Sequence, residues 1–122
     1  MRGSGVRVSS GPLMKIIKYG KLIRDKIPEI IKKDNAIPKI SILNQKRFKE
    51  ELKNKIFEEA AELKTAKNKD EIINELSDIS EILLTIAKTE KINWKKVEQK
   101  RKMKLRERGG FKKKIFLNEV RL

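Results

Sequence analysis

The apolar residues in the second half of the chain recur every three or four positions, which is the spacing of one face of a helix. Two such stretches, residues 45–66 and 70–89, are each long enough for about six helical turns. A third stretch, residues 94–108, is expected to form a helix that ends at Gly109 and Gly110. The pattern predicts an all-α fold.

The residues at the predicted helix boundaries fit this interpretation. Asn44 and Asn93 precede the first and third stretches, where an asparagine side chain can accept a hydrogen bond from the first turn. A shorter helix is expected around Pro28, with Asp25 as its cap and Asn35 at its end, because proline fits the first turn of a helix. The sequence therefore predicts four main helices.

The remaining segments are expected to be extended. Pro38 excludes a helix interior over residues 36–43, where isoleucine recurs at short intervals. Residues 14–19 and 111–120 are each predicted as a short strand or an extended piece, and the second segment could pack back on the first.

The two longest helices each carry a pair of acidic residues three positions apart, Glu59 with Glu62 and Glu75 with Asp78. Residues three apart lie on the same helix face, one turn from each other. The apolar stripes on these faces comprise Leu52, Ile56, Leu63 and Ala66 in the first helix and Ile72, Leu76, Ile79, Leu83 and Ile86 in the second. Glu59 and Glu75 fall inside the stripes, and Glu62 and Asp78 lie at their edges. Two consecutive helices therefore direct carboxylates at whatever they pack against.

Four converging carboxylates need a cation, because a buried and unpaired carboxylate is costly. Oxygen ligands favour a hard ion such as Mg²⁺ or Mn²⁺. The chain contains neither His nor Cys, so a zinc site with soft ligands is excluded. The alternative is that each pair lies on a solvated face or pairs with a nearby lysine. The matching position of both pairs within apolar stripes favours the metal site.

Three blocks of sequence carry a resemblance to a known family. Glu58-Glu59-x-x-Glu62, followed by Glu75-x-x-Asp78, resembles the EExxE…ExxD motif of the MazG-like, all-α nucleoside triphosphate pyrophosphohydrolases. That superfamily includes phosphoribosyl-ATP pyrophosphohydrolase and the dimeric dUTPases. The stretches from Lys21 to Pro28 and from Arg106 to Phe111 narrow the resemblance to a small, single-domain branch similar to phosphoribosyl-ATP pyrophosphohydrolase. The similarity runs roughly from Tyr19 to Val120.

The resemblance implies Mg²⁺- or Mn²⁺-dependent hydrolysis of a nucleotide at its α–β phosphate bond, giving a monophosphate and pyrophosphate. It implies metal ligands at Glu59, Glu62, Glu75 and Asp78, with Glu59 and Glu62 also acting in catalysis. Lys55, one turn before Glu59, is a candidate catalytic contact to phosphate, and Glu81 a candidate outer ligand. The candidate substrate-binding residues are Lys21, Arg24, Lys26, Lys104 and Arg108. Further candidates, close to the last two in sequence, are Arg106, Gly109 and Gly110. Glu58 projects away from the stripe and is not counted as a ligand.

The net charge of the chain allows a second interpretation of its function. The 122 residues include 32 Lys or Arg and 17 Asp or Glu, for a net charge of +15. This balance is typical of a basic nucleic-acid-binding module, or it could steer a polyanionic nucleotide to the acidic site. Aromatic residues are few, which argues against base stacking, and Phe48, Phe57, Trp94 and Phe111 are expected in the core. A non-catalytic interaction protein of the same fold is a further alternative.

The remaining predictions concern the domain bounds, the oligomeric state and the location of the protein. Residues 1–13 are rich in Gly, Ser and Arg and are interpreted as a leader or an expression-derived extension, with residues 14–122 as one domain. Ile73 and Leu84 lie opposite the stripe of their helix, which indicates a homo-oligomer, a dimer or higher. No apolar run has the length of a membrane span. The absence of Cys suits a cytosolic setting, and a cytoplasmic location is expected.

Overall fold

The computed structural model describes residues 15–122, and its regular structure is entirely helical over that range. The four helices, numbered in chain order, are α1 (Ile27–Lys33), α2 (Gln45–Thr65), α3 (Lys69–Thr89) and α4 (Trp94–Arg108). The predicted all-α class with four helices is confirmed. The leader predicted over residues 1–13 lies outside the described residues. Within residues 15–122, no helix is long and apolar enough to cross a bilayer.

The described residues divide into two compact units, with the boundary between Pro38 and Lys39. The prediction of one domain over residues 14–122 stays a prediction. In the first unit, Pro28 lies in the first turn of α1 as expected, but Asp25 does not cap the helix. The cap position is Lys26, which gives no side-chain cap, because a turn closed by the amide of Ile27 and the carbonyl of Arg24 (3.1 Å) precedes the helix and contains Asp25.

Each of the three long helices begins at an asparagine that caps it. The Oδ1 atom of Asn44 accepts a hydrogen bond from the amide of Arg47 at 2.8 Å, and Asn93 does the same for Lys95 at 2.9 Å. The cap of α3 is Asn68, which was not predicted; its Oδ1 atom accepts from the amide of Glu71 at 2.9 Å. In return, the Glu71 carboxylate accepts from the amide of Lys67 at 3.0 Å. The start of α3 is therefore well defined.

Helices α2 and α3 pack against each other as an antiparallel hairpin, because only three residues connect them. Leu52 of α2 is buried, as are Ile82 and Ala87 of α3. At the open end of the hairpin, the Nζ atom of Lys49 lies 3.4 Å from the carboxylate of Glu90. The hairpin supplies the core of the second unit and holds the acidic residues described below.

The predicted apolar stripe of α3 is only partly buried. Ile79 and Ile86 are half-buried, but Ile72, Leu76 and Leu83 are 39%, 50% and 40% exposed. In the single chain, α3 packs mainly against α2 and buries only the face turned toward it. A second apolar face of α3 therefore remains at the surface.

Helix α4 has no buried residue, and the segment after it forms no strand. Residues 15–19 and 111–120 lie outside helices and strands, so the strand alternative for these segments was wrong. Phe57, Trp94 and Phe111 are 75%, 39% and 97% exposed, so the expectation that they lie in the core was also wrong.

We expect Gly109→Ala to loosen the end of α4 and Gly110→Ala to leave it intact. Gly109 has φ 82° and ψ 176°, a conformation that only glycine adopts readily, and an alanine there is strained by about 1–3 kcal/mol. At Gly110 a Cβ atom would meet only the Cδ1 atom of Leu105, at 3.3 Å, and this side-chain tip can shift. Amide hydrogen exchange over residues 105–109 measures the difference. Equal exchange rates in the two variants would contradict it.

Candidate metal centre

Two carboxylates lie in the interface between α2 and α3. Glu59 on α2 and Glu75 on α3 are 7% and 6% exposed, and they are the buried charged residues of the described chain. They occupy positions on the packed face that an apolar residue would otherwise fill, as the stripes predicted. A carboxylate removed from water is costly unless a hydrogen bond or a cation compensates.

The protein supplies only part of this compensation. The Oε1 atom of Glu75 accepts a hydrogen bond from the side-chain amide of Asn74 at 3.0 Å. The Oε1 atom of Glu59 lies 3.9 Å from the Nζ atom of Lys55. The Oε2 atoms of both glutamates are buried and have no hydrogen-bond partner among the described residues. Two buried oxygens thus remain without a donor.

Glu62 completes a group of three carboxylates. One oxygen each from Glu59, Glu62 and Glu75 lies within 4.8 Å of the other two. Glu62 is exposed, so the group opens to solvent on one side. An all-oxygen set of this kind, with two oxygens that lack any other partner, fits a hard divalent cation.

Asp78, the fourth predicted ligand, stands outside this group of three. It is half-buried on α3, one turn after Glu75, and its negative charge raises the pKa of Glu59. In the single chain, Asp78 does not belong to the group of carboxylates whose oxygens lie within 4.8 Å of one another. Glu81, one turn further along, is exposed, and its carboxylate accepts a hydrogen bond from the hydroxyl of Thr85 at 3.4 Å.

Burial raises the pKa of Glu59 from its ordinary value of 4.5 to about 7. Burial is the largest cause, followed by the hydrogen bond that Glu59 can donate to Glu75 only in its protonated form, and by the negative charges of Asp78, Glu75 and Glu62. Without a cation, the site therefore holds a proton close to neutral pH. The proton offsets charge that the protein leaves uncompensated.

A cleft of about 520 Å³ lies beside the carboxylates, at the end of the hairpin where α2 connects to α3. Its lining consists of Glu62, Thr65, Ala66, Asp70, Glu71, Asn74 and Glu75. Four of these seven residues are acidic and none is basic, so a phosphate-bearing molecule can enter only with cations that offset the repulsion.

Most of the cleft lining was missed from the sequence. Thr65, Asp70, Glu71 and Asn74 were not predicted as site residues, although Glu71 precedes Glu75 by four positions and so lies on the same helix face. From that spacing, Glu71 could have been predicted as a site residue. The first turn of α3 reaches the cleft because the short connection turns the chain at that point.

Lys55 lies where the sequence placed it, one turn before Glu59. Its Nζ atom makes a close ion pair with Glu58 and lies 3.9 Å from Glu59. Glu58 pairs with this lysine and is absent from the group of three carboxylates, as expected from its place on the helix.

The other predicted cationic residues are exposed. Lys104 and Arg108 belong to α4 and do not line the cleft. Lys21, Arg24 and Lys26 belong to the first unit, where the Lys21 ammonium lies 5.6 Å from the centre of the Tyr19 ring. A role for these five residues in substrate binding stays a prediction.

We expect Glu59→Gln to stabilise the metal-free protein at pH 8. The folded state binds a proton at Glu59 more tightly than the unfolded state, so the free energy of unfolding falls as pH rises from about 4.5 to about 7 and stays lower above that window. Glutamine removes this loss, which amounts to about 1–3 kcal/mol at pH 8. Urea denaturation with a chelator, at pH 5 and pH 8, measures the effect.

Glu50→Gln is the matched control, because Glu50 is an exposed glutamate of the same helix. It should leave the difference in stability between pH 5 and pH 8 unchanged. A Glu59→Gln variant no more stable than wild type at pH 8 would contradict the burial of an uncompensated carboxylate.

The comparisons with known proteins agree with this geometry. A model of the family described as phosphoribosyl-ATP pyrophosphohydrolase matches residues 24–104, about two thirds of the chain, including all of α2 and α3. No curated protein and no solved structure gives a match. The matched range contains every carboxylate of the site. The chain belongs to the phosphoribosyl-ATP pyrophosphohydrolase family, and it is a hydrolase that acts on an acid anhydride bond.

Proposed function

We propose that the protein hydrolyses a nucleoside triphosphate or a related nucleotide at the α–β phosphate bond, with Mg²⁺ or Mn²⁺ held by its acidic cluster. The observation that carries the proposal is the pair of buried oxygens without partners, on Glu59 and Glu75, next to the carboxylate of Glu62. Family membership supports the pyrophosphohydrolase reaction. The products are a nucleoside monophosphate and pyrophosphate, which suits the removal of unwanted nucleotides from the cytoplasmic pool.

The proposed ligands are Glu59, Glu62, Glu75 and Asp78. These residues would hold a divalent ion, which would offset the negative charge of the substrate's phosphates. Asp78 is included because its charge acts on Glu59 and its position on α3 repeats that of Glu62 on α2. The cleft beside Glu62 and Glu75 has room for the phosphate chain of a nucleotide.

The chain's own residues have separate proposed roles. With a cation bound, Glu59 is deprotonated, and an oxygen of Glu59 that is not used as a ligand can accept a proton from an attacking water molecule. Glu62, exposed at the mouth of the group, can orient that water. The Nζ atom of Lys55 lies 3.9 Å from the Oε1 atom of Glu59. We therefore propose that Lys55 contacts the phosphate group on which negative charge develops during hydrolysis.

The remaining cationic contacts come from outside the acidic cleft. Lys21, Arg24, Lys26, Lys104 and Arg108 are proposed to bind the triphosphate or the ribose. The absence of any basic residue in the cleft lining supports a need for such contacts, because the ions alone would have to offset both the carboxylates and the substrate.

We further propose that the protein is a homo-oligomer, a dimer or higher. The exposed apolar face of α3, with Ile72, Leu76 and Leu83 at helical spacing, supports this proposal. A monomer would leave these side chains in water next to Ile73 and Leu84, which are 63% and 40% exposed. A second copy of the hairpin offers a matching apolar face to cover them.

Release of pyrophosphate from a panel of nucleotides tests the proposed reaction. The panel contains ribo- and deoxyribonucleoside triphosphates and phosphoribosyl-ATP, each with Mg²⁺, with Mn²⁺ and with a chelator. Glu62→Gln and Asp78→Asn are each expected to lower kcat/KM by about 100-fold or more, because each removes a ligand charge. Glu50→Gln should keep wild-type activity. Full activity in both ligand variants would overturn the proposed ligand set.

Leu83→Lys is expected to shift the protein toward the monomer, because it places a charge in the apolar face of α3. Analytical ultracentrifugation at several concentrations measures the change, with Lys64→Ala on the exposed side of α2 as the control. A wild-type protein that sediments as a monomer at all concentrations would contradict the proposed oligomer.

A further inference from the structure

More than half of the net positive charge of this protein lies in its last 29 residues. Residues 94–122 contain twelve Lys or Arg and three Asp or Glu, which leaves a net charge of +9. The α2–α3 hairpin with its connection, residues 45–89, contains nine Lys or Arg and ten Asp or Glu, for a net charge of −1. The site and the positive charge therefore lie on different elements, and steering of substrate does not by itself explain where the lysines are.

Helix α4 presents this charge to solvent. No residue of α4 is buried, and its eight basic side chains are spread around the whole helix circumference. Arg101 pairs with Glu98 at 3.0 Å, which leaves most of the positive charge of α4 to act on a partner. A helix that binds in a membrane surface separates a charged face from an apolar one. Helix α4 lacks that separation, which favours a soluble polyanion over a lipid surface.

Exposed aromatic side chains stand within the same segment. Phe111 and Phe116 are 97% and 83% exposed, and three lysines, Lys112, Lys113 and Lys114, lie between them. A turn closed by the amide of Lys114 and the carbonyl of Phe111, at 3.2 Å, spans these residues. The turn is joined to α4 through Gly109, whose amide donates to the carbonyl of Leu105 at 3.0 Å.

We propose that α4 and the segment that follows it, residues 94–122, form a binding surface for single-stranded nucleic acid. The lysines and arginines contact phosphates, and Phe111 and Phe116 stack on bases, which are accessible only where the strand is unpaired. No residue of this surface lines the acidic cleft, so its binding does not require a divalent cation, and it shares only Lys104 and Arg108 with the proposed substrate contacts. It is a second activity that the pyrophosphohydrolase reaction does not account for.

Fluorescence anisotropy with labelled oligo(dT) and oligo(U) tests the proposal, with chelator present and over a range of salt concentrations. The triple variant Lys112→Ala, Lys113→Ala, Lys114→Ala should weaken binding and reduce the slope of log K against log salt by about 2, as expected for three lost phosphate contacts to a single strand. The control triple variant Lys46→Ala, Lys53→Ala, Lys64→Ala removes the same charge from exposed positions on α2 and should leave the slope unchanged.

Aromatic variants separate base stacking from charge alone. Phe111→Ala should weaken binding of oligo(dT) about tenfold, and Phe57→Ala, which removes a 75% exposed aromatic from the hairpin, should not. Circular dichroism checks that each variant keeps its helices. Competition with duplex DNA, heparin and vesicles containing phosphatidylserine completes the test.

The proposal predicts that single strands compete better than the other three anions. It is overturned if heparin or the vesicles compete as well as oligo(dT) while Phe111→Ala has no effect, because the surface would then bind polyanions without recognising bases. It is also overturned if the two triple variants lose binding equally, because the charge would then act without regard to its place in the fold.

Discussion

Two carboxylates buried between a pair of helices determine how this small protein is built. Glu59 and Glu75 take positions in the α2–α3 interface where apolar side chains would pack, and each keeps one oxygen without a hydrogen-bond partner in the described chain. Isolated, this arrangement opposes folding, since burial disfavours the charged form of a carboxylate. It becomes favourable when a cation or a proton joins the group. The need to fold and the ability to hold an ion are thus linked through the same two side chains.

The rest of the hairpin buries little apolar surface. Only Leu52, Ile82 and Ala87 are buried apolar residues in the described chain, which is a small core for helices of this length. The remaining apolar surface of α3 is half exposed, so the chain alone does not use the full hydrophobic content of its sequence. Binding of an ion at the carboxylates and association of subunits at the α3 face both add stability to such a structure.

The features that could be predicted from the sequence depend on local periodicity. The helix bounds, the caps at Asn44 and Asn93, and the inward position of Glu59 and Glu75 all follow from the spacing of residues along one helix. Features that depend on which other element lies nearby were missed. Asp25 fails as a cap because of a turn that precedes α1, and Phe111 is exposed because no element covers it. The lining of the cleft depends on the three-residue connection, which a helical pattern does not describe.

Binding of Mn²⁺, followed by electron paramagnetic resonance of the free ion at pH 8, tests the central claim most directly. The account predicts saturable binding to the wild-type protein and its loss in Glu75→Gln, with Glu50→Gln unchanged. The opposite result is a free-ion signal that rises linearly with added Mn²⁺ in the presence of folded wild-type protein. It would show that the buried carboxylates do not hold a divalent cation.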